Sequence, residues 1–172
     1  MAYTESAVSE AVVEAGGQPA EFRGDAVVAV FGQRTDARTA CRQAFASLAL
    51  IARNLDRLSD LLRNDLGGRL RYGIGIDGSS TVSGEIGFGD HITVTAFGDA
   101  LSVAARLQDL TKELRCEALI SETVMRMGEI DAARFPLRTA ELRGFERPVP
   151  VRVIRSLTGS GVDAEGDDTS PG

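Results

Sequence analysis

The 172-residue sequence has no tryptophan, a single histidine and two cysteines, and these shortages limit the kinds of functional site that the chain can form. Cys41 and Cys116 belong to no metal-binding or redox motif, so we expect two buried thiols in a reducing compartment. No apolar run reaches the roughly 18–20 residues that a membrane-spanning helix needs. Residues 1–16 lack the basic start and apolar core of a signal peptide. These absences predict a cytoplasmic protein without a membrane span.

Positive charge is also scarce. The formal net charge is -6, and Lys112 is the only lysine beside the arginines. An acidic chain without a basic cluster is a poor candidate for nucleic-acid binding. Hydrophobic residues make up 43% of the sequence and charged residues 26%, which suits one soluble domain with a core of its own.

Helical and strand patterns alternate along the chain in a mixed order. Apolar residues at three- and four-residue steps predict a helix over residues 3–15 and a long helix from the N-cap Asp36 to Leu62. Between them, residues 18–31 read as a hairpin. Its second arm, residues 26–31, is a continuous apolar run, which is typical of a strand buried on both faces.

Strand patterns continue through the second half of the sequence. They lie at residues 69–76, 80–86, 116–120, 135–142 and 148–154. Residues 80–86 follow the turn at Asp77-Gly78, so we expect them to return against the preceding strand. Hairpins mixed with helices indicate an α+β sandwich, with the helices on one side of one sheet. Residues 156–172 are rich in Gly, Ser, Asp and Pro, which predicts a disordered acidic tail after a domain of residues 1–155.

Residues 91–107 are the most informative stretch. The β-branched residues 92–95 predict a strand, and Asp99 after Gly98 is a typical N-cap for a helix. An apolar stripe is predicted along this helix at Leu101, Ala104, Ala105, Leu107 and Leu110. Ser102 and Arg106 are four residues apart, so they share a helix face. By spacing alone, this pair is also compatible with an ordinary solvated surface.

The whole stretch has a stronger interpretation. Residues 95–107, TAFGDALSVAARL, resemble the T-x-[IF]-G-D-x-V-N-x-A-x-R-L signature of class III nucleotidyl cyclases, the adenylate and guanylate cyclases. Residues 24–32, GDAVVAVFG, and residues 70–76, LRYGIGI, resemble two further family blocks in the same order. The resemblance runs from about residue 3 to about residue 155 and implies the ferredoxin-like βαββαβ core of the cyclase catalytic domain.

The resemblance implies conversion of ATP or GTP to the 3′,5′-cyclic nucleotide and pyrophosphate, for intracellular signalling. Two Mg²⁺ or Mn²⁺ ions held by two aspartates assist that reaction in the family. Asp25 matches the second metal aspartate, but the first belongs to a D-[IL]-x-G-F-[TS] strand that the sequence does not contain. We therefore expect a fold without the family's first strand and first helix, with one metal ligand missing and a sheet edge uncovered.

The other matched positions imply roles in substrate binding. Arg106 matches the arginine that stabilises the pentacovalent phosphate, and Ser102 replaces the asparagine that orients the ribose. Glu21 and Thr95 occupy the two base-reading positions; Glu is typical of guanine recognition and Thr of adenine recognition, so the base stays open. Arg143 matches the first basic residue of the family's L-K-G-K loop, whose second basic residue is replaced by Phe145.

Partners follow from the same resemblance, because each site in this family forms between two domains. The chain is then expected to form a homodimer, or a heterodimer with another cyclase domain. The missing aspartate, together with Glu21, Ser102 and Phe145, leaves a second interpretation open. In that interpretation, a degenerate cyclase domain acts as a catalytically inactive dimerisation or nucleotide-binding regulatory module. A ferredoxin-like interaction domain without a nucleotide site is a third.

Overall fold

The computed structural model describes residues 2–78, 81–88 and 91–158, with Leu66 and residues 81–88 and 91–97 described through their backbone alone. Helices and strands follow in the order α1 (Ala2–Glu14), β1 (Gln18–Arg23), β2 (Ala26–Val30), α2 (Ala37–Leu61), α3 (Arg63–Leu66), β3 (Ile74–Ile76), β4 (Thr81–Phe88), β5 (His91–Gly98), α4 (Asp99–Leu114), β6 (Ala118–Ser121), α5 (Glu122–Met127), β7 (Leu137–Ala140) and β8 (Val149–Ile154). The predicted tail lies outside the described residues from residue 159 onward.

The predicted α+β fold is confirmed, and its main sheet has four strands in the order β3-β6-β8-β7. β3 runs parallel to β6, and the other two pairings are antiparallel. Strands β1 and β2 form the predicted hairpin, which is a separate two-stranded sheet. The expected return of residues 80–86 against the preceding strand is wrong. β4 pairs with β5 over eight residue pairs, whereas β3 has only three residues and pairs with β6.

Helix α2 begins where the sequence predicts. The Asp36 carboxylate accepts hydrogen bonds from the backbone N–H and the hydroxyl of Thr39, each at 2.9 Å. These bonds stabilise the charged carboxylate and lower the pKa of Asp36. From there, an apolar stripe that includes Phe45 and Leu48 faces the sheet.

The core lies on both faces of the four-stranded sheet, because alternate residues of β6 point to opposite sides. Ala118 and Ile120 pack with Phe45 and Leu48 of α2. Leu119 packs on the other face, with Val103 and Leu107 of α4. The expectation of helices on one side of the sheet is therefore wrong, since α2 and α4 cover opposite faces.

Strand β2 also differs from its prediction. Its sequence is typical of a strand buried on both faces, yet Ala26 is exposed and residues 27–30 are only half-buried. Among the described strands, β1 is its one hydrogen-bonded neighbour. The other edge of β2 lines a cavity with a volume of about 2080 Å³, which explains the incomplete burial.

Candidate functional site

The turn between β1 and β2 carries the first group of predicted site residues. Gly24 has a φ of 63°, a left-handed conformation that glycine adopts without strain, and it leaves Asp25 exposed at the tip. The Glu21 carboxylate accepts from Arg23 through Nε at 2.8 Å and Nη2 at 2.7 Å. A ligand group that binds Glu21 must therefore share its carboxylate with Arg23 or displace that guanidinium. This ion pair was not predicted from the sequence.

Helix α4 carries the second group. The predicted helix over residues 99–112 is confirmed, but Asp99 is its first residue and not its N-cap. Gly98 occupies the N-cap with a φ of 123°, which only glycine adopts readily, and no side-chain hydrogen bond caps the helix. The charge of Asp99 still lies in the first turn, where the helix dipole favours an anion.

The buried stripe of α4 is offset from the predicted one. Its buried residues are Ala100, Val103, Leu107 and Thr111. Ala105, which was predicted to be apolar core, is exposed. The backbone of α4 lies directly against β3 at Gly75.

Ser102 and Arg106 lie together on the exposed face of α4, as the sequence predicts. Among the described side chains, Arg106 forms an ion pair with Asp109, with 4.0 Å between Nη1 and Oδ2. Their side chains are 51% and 63% exposed, so this ion pair contributes little and leaves the guanidinium available to a ligand.

The glycines Gly73 and Gly75 determine where α4 sits. A Cβ on Gly75 would lie 2.6 Å from the backbone nitrogen of Gln108 and 3.0 Å from the Cβ of Leu107. A Cβ on Gly73 would lie 3.0 Å from the Cβ of Thr111. The close approach of β3 and α4 thus requires glycine at both positions. The alternation of glycine with Tyr72, Ile74 and Ile76 is the sequence signal for it.

Arg143 is exposed on a turn that is anchored beneath α4. Gly144 has a φ of 91°, and the Phe145 N–H donates to the Leu142 carbonyl at 3.0 Å. Leu142 and Phe145 pack in the same cluster as Val103 and Leu107. Phe145, which replaces a basic residue of the family motif, therefore fixes the turn that carries Arg143.

The predicted residues thus form two groups. Ser102, Arg106 and Arg143 are exposed on α4 and on the turn that shares its core cluster. Glu21 and Asp25 lie on the hairpin, and Asp25 lines the large cavity. Thr95 pairs with Gly84 through the β5–β4 backbone, and its side chain lies outside the described part of the chain.

Two further observations bear on metals and membranes. Within residues 2–78, 81–88 and 91–158, no three His, Cys, Asp or Glu side chains cluster as a metal site would require. Asp25 offers a single carboxylate on an exposed turn, so the described residues do not fit a complete two-ion site.

None of the described helices combines the length and apolar character needed to cross a bilayer.

Curated proteins similar to this chain include cyclases, although no protein-family model matches it. The chain is 36% identical over 156 residues to an adenylate cyclase of Anabaena cylindrica, a match that covers 87% of this chain and 30% of that protein. It is 31% identical over 131 residues to an uncharacterised protein of Mycobacterium tuberculosis, covering 75% of this chain and 22% of the relative. The chain thus spans less than a third of these relatives.

Solved structures with the same fold are also cyclases. The guanylyl cyclase Cya2 has a TM-score of 0.71 and 21% identity, covering 88% of this chain and 76% of that one. The adenylyl cyclase CyaB from P. aeruginosa has a TM-score of 0.69 and 21% identity, covering 90% of this chain and 80% of that one. These likenesses establish the fold of the domain.

Proposed function

This chain belongs to the class III nucleotidyl cyclase family, and we propose that it takes part in converting ATP or GTP to the 3′,5′-cyclic nucleotide and pyrophosphate. The observation that carries the proposal is the pair Ser102 and Arg106, exposed on one face of α4 directly after the Gly98-Asp99 turn. That face is free to bind a nucleotide held by a second domain. The proposed site is accordingly shared between two domains, in a homodimer or with another cyclase domain.

Arg106 is proposed to stabilise the charge that develops on the α-phosphate when the ribose 3′-oxygen attacks it. A guanidinium binds two phosphate oxygens at once, and it keeps its charge throughout the reaction. Because its ion pair with Asp109 is long and exposed, Arg106 gives up only a weak interaction when it binds a phosphate. Its contribution is electrostatic and depends on α4 being held in place.

Ser102 lies one turn before Arg106, where its hydroxyl can bond to the ribose. A hydroxyl donates only one hydrogen bond, so the ribose is held less firmly than by the amide of the family's asparagine. Arg143 adds a second guanidinium for the triphosphate. Its turn is anchored to the core cluster of α4, which keeps the two arginines on one structural unit.

Base recognition is proposed to depend on Glu21 and Thr95. A carboxylate can accept from both N1–H and N2–H₂ of guanine, whereas adenine offers only its exocyclic amine. Thr95 tolerates either base, because a hydroxyl both donates and accepts. In the free chain Arg23 neutralises Glu21, so a guanine must compete with this ion pair.

Metal ions, Mg²⁺ or Mn²⁺ in the proposed reaction, would screen the triphosphate and activate the attacking oxygen. Asp25 is the residue proposed to hold one of them. Since the described residues do not fit a complete two-ion site, we expect the 172-residue chain to show little cyclase activity by itself.

The incomplete two-ion site also favours a second candidate function. A domain with one matching metal carboxylate, a serine at the ribose position and Phe145 in the phosphate loop suits a module that dimerises or holds nucleotide without turnover. The two candidates differ in one measurable respect. Only the first requires that Arg106 support product formation when a partner domain supplies both aspartates.

A complementation assay separates the two candidates. The partner is the cyclase domain of the Anabaena cylindrica relative, inactivated at its own arginine that matches Arg106. Mixed with this chain and Mn²⁺-ATP, it should form cyclic AMP, and Arg106→Ala in this chain should abolish the product. Sedimentation of the mixture checks that the two domains pair. Paired domains that bind ATP without product would support the regulatory module instead.

Base preference is tested by Glu21→Lys in nucleotide titrations. The wild-type chain should prefer GTP, because guanine offers the Glu21 carboxylate two donors in exchange for Arg23 and adenine offers only one. Glu21→Lys should shift the preference toward ATP. Arg23→Ala is the matched control, because it frees the carboxylate and should strengthen GTP binding. Equal preference for ATP in wild type and Glu21→Lys would show that Glu21 does not read the base.

A further inference from the structure

Four basic side chains from three parts of the chain meet at the C-terminal end of α4. They are Arg71, which precedes β3, Lys112 and Arg115 at the end of α4, and Arg155, which follows β8. All four are exposed, and all four line the large cavity. We call these four residues the basic cluster.

The packing of β3 against α4 determines where Arg71 lies. A Cβ on Gly75 would contact Gln108, and a Cβ on Gly73, two residues earlier, would contact Thr111, about one turn further along α4. Side chains two residues apart in an extended chain point the same way. Arg71, two residues before Gly73, is therefore directed at the last turn of α4, which carries the two helical members of the basic cluster.

Arg155 reaches the same place from β8. Val151 and Val153 pack on the face of the sheet that α4 covers, and the alternation along the strand places Arg155 on that face too. Burial raises the pKa of the Cys116 thiol, and the positive charge of Arg155 opposes that rise, so the two side chains are close. Since Cys116 directly follows Arg115, Arg155 lies beside the end of α4.

The basic cluster has no acidic partner among the side chains that the structure describes. None of its four residues takes part in an ion pair there, whereas the neighbouring Arg69 pairs with Asp56 at 2.7 Å. Glu113 is in the last turn of α4, but it lies about 200° around the helix from the buried Thr111 and so points away from β3.

The fold itself explains only half of this cluster. Lys112 and Arg115 lie where the helix dipole favours a cation. Arg71 and Arg155 come from outside the helix, and like charges placed close together repel each other. The cluster is thus suited to an anionic partner that carries several charges.

We propose that the basic cluster binds residues 163–168 of the same chain. This segment, DAEGDD, carries four carboxylates, and residues 159–172 contain no basic residue. The contact is electrostatic and requires no fixed backbone conformation, which agrees with the composition of the segment. The bound segment neutralises the basic cluster and excludes other anionic ligands from this end of α4.

The acidic segment is tethered within reach of the basic cluster. The Leu157 N–H donates to the Glu117 carboxylate at 2.6 Å, which holds the chain beside the N-terminal end of β6. Arg155 of the basic cluster is only two residues before Leu157. The six residues from Leu157 to Asp163 span up to about 20 Å when extended, so the first carboxylate can return to Arg155.

Tethering also favours this occupant over an acidic partner from outside. A short flexible linker gives the attached segment an effective concentration in the millimolar range, and residues 159–161 are Gly-Ser-Gly. A separate acidic peptide must exceed that concentration to compete. A nucleic acid is disfavoured as well, because the net charge of the chain is -6.

Paramagnetic broadening of NMR signals tests the contact in the full 172-residue chain. Thr169→Cys attaches a nitroxide next to the acidic segment, and a chain treated with the label but without this change is the blank, since Cys41 and Cys116 are buried. The amide signals of the basic cluster should lose most of their intensity. The turn of residues 143–147 also carries arginines, but it lies at the other end of β8, about 20 Å away, and should keep its signals. Broadening of that turn without broadening of the basic cluster would overturn the proposal.

Charge variants identify the cause of any broadening. The tail variant carries D163N, E165Q, D167N and D168N, which leave every described residue unchanged. It should restore full intensity at the basic cluster, as should 1 M NaCl, at which charges are screened beyond about 3 Å. Arg155→Gln should restore part of the intensity, whereas Arg57→Gln on exposed α2 should restore none. Broadening that persists in the tail variant would show that the carboxylates do not make the contact and would refute the proposal.

A mixed sample separates the tail of the same chain from that of a second copy. Isotope-labelled chain without nitroxide is combined with nitroxide-labelled chain that gives no signal. The basic cluster should then be broadened far less than when both labels are on one chain. Equal broadening in the mixture would make the tail of a second copy the occupant and contradict the intramolecular contact.

Discussion

Replacing Gly75 with alanine tests whether the contact between β3 and α4 holds the helix that carries Ser102 and Arg106. The added Cβ would lie 2.6 Å from the backbone nitrogen of Gln108 and 3.0 Å from the Cβ of Leu107. Ordinary van der Waals contact begins near 3.4 Å. The carbonyl oxygen of Ala104 would lie closer still, and because these obstructing atoms include helix backbone, no side-chain rotation relieves the clash. Helix α4 must therefore move away from the sheet by more than an ångström.

The expected loss of stability comes from overpacking the contact between β3 and α4. Extra methyl groups in a well-packed core cost about 1–3 kcal/mol, and more where backbone has to move. Alanine also restricts the conformations of the unfolded chain, which raises the free energy of unfolding by about 0.4–1 kcal/mol. We therefore expect Gly75→Ala to lower the free energy of unfolding by about 1–2 kcal/mol. For a protein of this size, that corresponds to a fall in Tm of roughly 2–8 °C.

Urea and thermal unfolding followed by circular dichroism measure this change. Gly68→Ala is the matched control, since a Cβ at Gly68 meets no atom within 4 Å. It should leave stability unchanged or raise it by up to about 1 kcal/mol. If Gly75→Ala and Gly68→Ala unfold at the same urea concentration, the close contact between β3 and α4 is not what fixes the helix.

Other predictions concern an ion pair, a hydrogen bond and self-association. Arg152 donates to the Glu122 carboxylate at 2.6 and 2.9 Å, and this bonding lowers the pKa of Glu122 below its usual 4.5. Glu122→Gln should therefore lower the free energy of unfolding by about 1–2 kcal/mol, measured with urea at pH 7. That stability is present above pH 4.5 and is lost as the pH falls through the lowered pKa, so a difference that persists fully at pH 2 would contradict the assignment. Tyr72→Phe removes a 3.3 Å hydrogen bond from the tyrosine hydroxyl to Glu117, so it should lower the free energy of unfolding by about 0.5–1.5 kcal/mol in the same assay. An unchanged free energy of unfolding would show that the bond does not stabilise the fold. At tens of micromolar the chain should sediment as dimers or larger species that associate through the face of residues 18–25 and 91–106. Phe22 is 55% exposed on this face, so Phe22→Ser should weaken the association. A strictly monomeric wild type would contradict this prediction.

Local signals predicted most of the elements correctly. The cap at Asp36, the turn at Gly24 and the apolar stripe of α2 each depend on residues close together in the sequence, and the structure has all three features. The exposed face with Ser102 and Arg106 was predictable for the same reason. A helix periodicity places residues on faces without knowledge of the rest of the fold.

Features that depend on distant residues were not predictable. The partner of β4 is set by the long hairpin with β5, and the close packing of α4 on β3 depends on Gly75. Phe145 looked like the loss of a basic residue, but its packing beneath α4 shows a structural role. The pairing of Arg23 with Glu21 depends on hairpin geometry that neither residue type reveals.

The most direct test of the proposed nucleotide site is a calorimetric titration of wild type, Arg106→Ala and Arg57→Ala with GTP and ATP, at protein concentrations at which each protein sediments as a dimer. Arg57 is an exposed arginine on α2, far along the chain from the proposed site, so its loss controls for a change in net charge. Loss of a charged hydrogen bond costs about 1.5–3 kcal/mol, so Arg106→Ala should weaken triphosphate binding by roughly 10- to 150-fold. Arg57→Ala should bind as wild type does. Equal affinities for all three proteins would contradict the claim that the exposed face of α4 binds the nucleotide.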